Sequence, residues 1–158
     1  MKRKRKPMSD AVKIPKGQVT IRIRNVKTQK VEKTIKADNL IVNNFRSQVL
    51  FALAGGCGGA IGDWALTRAQ LGASGVVAAV TDVAITAPLV EVALTATYPV
   101  SKSIQLDGTL TAAQGNGLTF QEVGLLFSGM GLAARRVFGA VVKSATFEWD
   151  LVWVLTWP

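Results

Sequence analysis

Ten carboxylates and 19 cationic side chains are the groups in this chain that could do chemistry, because histidine is absent and the single cysteine, Cys57, has no second thiol. Without imidazole there is no Ser-His-Asp or Cys-His relay, and one thiol makes neither an internal bridge nor a multi-cysteine zinc site. Catalysis would have to come from a carboxylate pair, a lysine or a carboxylate-bound metal. Yet Asp63, Asp82, Glu91, Asp107 and Glu122 are scattered singly along the chain. Glu122 differs from the rest. It sits inside the apolar run FQEVGLLF, where a carboxylate needs a partner, and Arg135 or Arg136 across a hairpin would supply one. These residues predict no catalytic, metal or cofactor-binding site, and a chain that is not an enzyme.

Two glycine-rich stretches invite a nucleotide reading and fail on context. Gly129 to Ala134, GMGLAA, matches G-x-G-x-x-A with Glu148 and Asp150 about twenty residues on. The residues after it have no helical stripe, and too little chain remains for a crossover helix and the rest of a parallel sheet. A hairpin turn is the expected role. The other stretch, GGCGGAIG around Cys57, lacks the terminal Lys-Ser/Thr of a phosphate loop. Cys57 has no cationic neighbour in sequence to activate it, so an idle or buried thiol is expected.

Charge is concentrated at one end. The chain carries +9 overall, and Met1 to Lys36 holds 13 of the 19 basic residues with only Asp10 and Glu32 against them. Lys2, Arg3, Lys4, Arg5 and Lys6 repel one another and have nothing apolar to bury, so residues 1–17 are read as a basic, extended arm. Met8, followed by SDAV, offers a second translation start. Arg22 and Arg24 extend the basic character onto the polar face of the first strand. The arm and these two arginines could neutralise phosphates without sequence preference. No aromatic residue precedes Phe45 to stack on bases, and no groove-reading motif is present, so nucleic acid is a possible partner but not the favoured one. No uncharged run reaches the roughly 18 residues of a membrane-spanning helix. MSDAVKIPKG follows MKRKRKP where a secretory signal would need an apolar stretch, which points to synthesis in a reducing cytoplasm.

The elements that must position these groups are mostly strands. Val19, Ile21 and Ile23 alternate with Thr20, Arg22 and Arg24, and VEKTIK resumes after the turn NVKTQK, which predicts a hairpin over Gln18 to Lys36. Asn43 or Asn44 could cap one helix over Phe45 to Ala54, with Phe45, Val49, Leu50 and Leu53 on its buried stripe and Gly55 ending it. Strands are expected at Glu91 to Thr97, Ser103 to Thr111, Leu118 to Phe127, Ala133 to Phe138 and the C-terminus. Gly75 to Ala87 reads as loop. Phe147, Trp149, Leu151, Trp153, Leu155 and Trp157 occupy every odd position of the last segment. Trp149, Trp153 and Trp157 therefore share one side, facing either the domain core or a subunit interface. Seven or eight short strands and one short helix predict a mainly β chain: a single antiparallel β-sandwich, jelly-roll-like, over residues 18–158.

The order NLIVNNFRSQVLFALAGG, TDVAITAPLVEVAL, GNGLTFQEVGLLF, LAARRVF and TFEWDLVWVLTW resembles a group of small tailed-bacteriophage virion proteins. Their shared pieces fall here on Asn39 to Asn43, Glu122 to Phe127, Leu132 to Phe138 and Trp153 to Trp157. The chain departs from them in having two arginines, Arg135 and Arg136, where one is usual, and in its KRKRKP arm. The resemblance implies a virion structural protein, either a cement or decoration protein bound to the major capsid protein or a tail, baseplate or fibre adaptor. Such a protein works as a homo-oligomer, a trimer or dimer, by sticking rather than by turnover, with Lys2 to Lys6, Arg22 and Arg24 adding electrostatic attachment to an acidic surface.

Overall fold

The computed structural model describes residues 15–53 and 65–158. In chain order they form β1 (Lys16–Asn25), β2 (Val31–Ile41), α1 (Asn43–Leu53), β3 (Leu66–Gly72), β4 (Pro88–Ala93), β5 (Thr95–Thr97), β6 (Ser103–Leu110), β7 (Thr119–Phe127), β8 (Leu132–Val142) and β9 (Phe147–Thr156). Every pairing is antiparallel, in the order β4-β3-β7-β8-β2-β1-β9-β6-β5. β2 belongs to both layers: Lys33 to Asn39 lie against β1, and Leu40 and Ile41 pair with β8. The strands thus fold into two packed layers, β2-β1-β9-β6-β5 and β4-β3-β7-β8-β2, the mainly β sandwich expected from the alternation.

Period-two patterning sets the register of the first layer. Val19, Trp153 and Leu106 form one inward row across β1, β9 and β6, and Ile23, Trp149 and Leu110 form another. All six are buried, and Phe120 of the opposite layer meets Trp149 edge-on with ring centroids 5.3 Å apart. Between these rows Leu151 aligns with Ile21 and Gly108. A Cβ on Gly108 would fall 2.6 Å from both the Ala93 carbonyl and Leu94 Cδ2. The missing side chain lets the chain cross from β4 to β5 at Leu94, whose amide donates to the Thr67 carbonyl at 2.7 Å. That crossing draws the two outer edges together and makes the sandwich nearly a barrel.

The tryptophan side divides. Trp149 and Trp153 are core residues, each 1% exposed, whereas Trp157 lies beyond the end of β9 and is 38% exposed. The helix differs from expectation in its stripe. Phe45 is buried and stacks on Phe127, centroids 5.8 Å apart, but Leu50 is 55% exposed. Gly55 lies outside the described residues. The Asn44 side-chain oxygen accepts from Gln48 Nε2 at 3.3 Å, and its NH2 points away from the helix. That NH2 donates to the Met130 and Leu132 carbonyls at 2.6 and 3.0 Å, tying α1 to the β7–β8 turn.

Two strand expectations need correcting. Glu91 to Thr97 is not one strand, because Leu94 hands the chain from one layer to the other. β3 continues to Gly72, beyond the Asp63 to Thr67 segment that the sequence offers, since LTRAQLG has only Ala69 and Leu71 as buried alternating positions and both Ala and Gly are poor strand formers.

Candidate functional site

Residues 73–87 join β3 to β4 without regular secondary structure, yet they lie against the outer face of β7 and β8 rather than projecting into solvent. Glu122 holds them there. Its carboxylate accepts the backbone amides of Ser74 (3.2 Å), Thr86 (3.3 Å) and Ala87 (2.9 Å). Arg135, one strand over, donates Nε to the same carboxylate at 2.8 Å and Nη1 to Asp82 at 2.8 Å, and caps the Val76 carbonyl at 3.0 Å. Asp82 in turn accepts the Ala79 amide at 2.9 Å. Glu122 is fully buried and Arg135 is 1% exposed. A loop whose backbone would otherwise bury unpaired polar groups is thus satisfied by two opposite charges and a third at the margin.

Sequence supplies a seat for this loop as well as its ties. A Cβ on Gly72 would fall 2.5 Å from Glu122 Oε1, and one on Gly124 would fall 2.5 Å from Ile85 Cδ1. The two vacancies let Ile85 drop onto the outer face, where it packs with Val42 and Leu132 as a small second core. Electrostatics follow from the geometry. Burial pushes the Asp82 carboxyl up, but the Ala79 amide and the Arg135 guanidinium outweigh it and hold the group below the ordinary carboxylate value. Burial works against the Arg135 charge, and its bonds to Asp82 and Glu122 more than restore it.

The outward side of the loop is apolar. Val77 is 81% exposed, Val83 76% and Val76 62%, with Val80 partly exposed beside them. Val77 and Ala78 line a shallow groove with Leu40, Arg136 and Val137. The Val80 carbonyl accepts the Asn43 amide at 2.7 Å, so the loop adjoins the start of α1. The opposite broad side, the outer face of β1, β9 and β6, is polar. Here Arg24 grips Asp150 with Nε and Nη2 at 3.2 and 3.1 Å, and reaches Glu148 at 3.4 Å. Arg22 lines a groove there with Asp107, Asp150, Thr95 and Thr109.

The sequence-predicted residues are distributed accordingly. Arg22 is exposed, Arg24 is occupied by an internal ion pair, and the face they share is of mixed sign because β9 and β6 bring acids to it. Lys2 to Lys6, Cys57 and Asp63 lie outside the described residues. GMGLAA is the β7–β8 turn, closed by the Phe127 amide on the Gly131 carbonyl at 3.0 Å with Gly131 at φ 77°, and a strand follows it. Trp157 borders an apolar groove of about 580 Å³ with Tyr98, Val100 and Ile104. Among the described residues no three His, Cys, Asp or Glu gather as a metal site, and no helix is long and apolar enough to cross a membrane. Glu122 pairs with Arg135, one of the two partners expected. Asp82 and the valines of the loop were missed. Their one legible signal is that residues 73–87 are rich in Val and Ala where a solvated loop is usually polar.

No known protein family, curated protein or solved structure matches the chain.

Proposed function

We propose that the chain is a structural component of a tailed-bacteriophage virion, a cement or decoration protein that self-associates and adheres to the capsid shell through its apolar broad side. The observation that carries this is the sidedness of the sandwich. One face presents Val76, Val77 and Val83 on a loop fixed by buried charges, and the other is polar and of mixed sign, with Arg24 paired to Asp150 and Glu148. Exposed apolar patches on soluble domains mark interaction sites, and a loop held in place before contact loses little entropy on binding.

The resemblance in sequence supplies the setting, and three of the four stretches that carry it adjoin one another in the fold, while Trp153 to Trp157 lies at the end of β9 in the other layer. Leu40 and Ile41 pair with Arg135 and Ala134, and Gly124 with Arg135. Arg135 is the arginine with a buried role, and Arg136, the additional one, is exposed. The basic N-terminal residues add steering towards an acidic coat, and many weak contacts around a particle sum to firm attachment.

Purified parent particles test the proposal. Gel densitometry should find the protein in many copies per virion, and limited proteolysis should find it on the outside of the shell. A few copies confined to the tail would favour a tail or fibre adaptor using the same face. Absence from virions would overturn both.

A further inference from the structure

Beyond providing an apolar surface, residues 73–87 have the construction of a part that opens separately from the sandwich. Their ties run to a small set of groups outside the main core: Glu122, Arg135, the packing of Ile85 with Val42 and Leu132, and the bond between Asn43 and Val80. None of the large core side chains of β1, β6 and β9 is needed to hold the loop. Units with few buried apolar contacts open at free energies below that of global unfolding. The ties are also interdependent. Removing Arg135 leaves a buried carboxylate without its counter-charge, and lifting of the loop relieves this by letting water reach Glu122.

We propose that Glu122, Arg135 and Asp82 form a latch that keeps residues 73–87 in their docking shape, so that attachment is controlled by local opening of this loop and not by unfolding of the body. The inference rests on the reading of this face as the docking surface. Arg135 and Glu122 act as positioning residues: they set where Val76, Val77 and Val83 stand without touching a partner. Other charges nearby do not substitute for them. Arg136 points away to the Asp38 carbonyl at 3.1 Å, and Arg68 is engaged with Glu91 and the Phe127 and Ser128 carbonyls.

Two variants approach the latch by different routes. Arg135→Met removes the counter-charge, and Gly124→Ala keeps every charge but forces Ile85 off its seat. Amide hydrogen exchange on the full chain should show the Ser74, Ala79, Thr86 and Ala87 amides exchanging about tenfold faster or more in both variants, with amides of β1 and β9 still protected. Unchanged loop protection, or equal loss of protection throughout the sandwich, overturns the latch. In parallel, each variant is added to parent particles stripped of this protein. Loss of retention together with loop opening supports the proposal. Loop opening with full retention overturns the docking reading and leaves the latch standing. Lost retention with the loop still protected overturns the latch and leaves docking standing.

Discussion

Arg135 stands in register with Gly124, not with Glu122, and its guanidinium reaches diagonally two residues along β7 to meet the Glu122 carboxylate at 2.7 Å. The diagonal matters because Gly124 has no side chain, so the space directly opposite Arg135 is free for Ile85 to enter from above. Charge pairing and apolar packing of the loop therefore share one pair of strands.

Asp82 gives this arrangement a pH signature. Its carboxyl is held below the ordinary value of 3.8 in the folded protein, so its contribution is complete above that pH and is lost as pH falls through the lower folded value. Loop protection in the wild type and Asp82→Asn should differ at neutral pH and converge in strong acid. Hydrogen exchange against pH measures this, and a constant difference would refute it.

The tryptophans should separate sharply by position. Trp149→Ala removes a ring packed on Phe120 and buried between the layers, and should cost about 3–5 kcal/mol in urea unfolding. Trp157→Ala, at a partly covered position beyond β9 beside Tyr98 and Ile104, should cost clearly less, about 1–2 kcal/mol.

Gly108 should tolerate no enlargement. Its inward side is filled by the Ala93 carbonyl and Leu94 at 2.6 Å, so Gly108→Val must push the β4–β5 crossing outward. A loss of about 1–3 kcal/mol is expected, with faster exchange of the Leu94 amide, whose bond to Thr67 ties the crossing to β3.

Arg24 should reveal its masked charge when its partners are neutralised. In the wild type Asp150 and Glu148 both face it. The double variant Asp150→Asn and Glu148→Gln should be retained longer on a heparin column, and the difference should shrink as salt rises. Equal elution would show that this face contributes no attraction for polyanions.

Lys143 is a buried lysine whose ammonium donates to the Ser144 carbonyl at 3.0 Å and to Asn116 Oδ1 at 3.4 Å. Burial pushes it below the ordinary lysine value of 10.5, with Glu148 opposing. The folded state then binds this proton more weakly than the unfolded chain, so stability rises with pH from the folded value up to 10.5 and gains nothing above it. Subtracting the profile of Lys143→Met from that of the wild type should isolate this rise.

The amino-acid order alone determined the first hairpin, the inward rows of β1 and β9 and the sandwich class, because alternation is a local property and burial of one face follows from it. It also singled out Glu122 as a carboxylate in need of a partner, since an apolar run cannot hold a lone charge. What only the tertiary structure decided depends on residues far apart in the chain. Asp82 joins Arg135 across 53 positions, and Asp150 neutralises Arg24 across 126. Trp157 falls outside the core because β9 ends one residue earlier, at Thr156. Residues 73–87 carry no periodicity to read, and their shape comes instead from hydrogen bonds to a carboxylate on β7 and a guanidinium on β8. Those bonds arise only once the layers have assembled, because sequence patterning encodes which face of a strand is buried but not which distant backbone will come to lie against it.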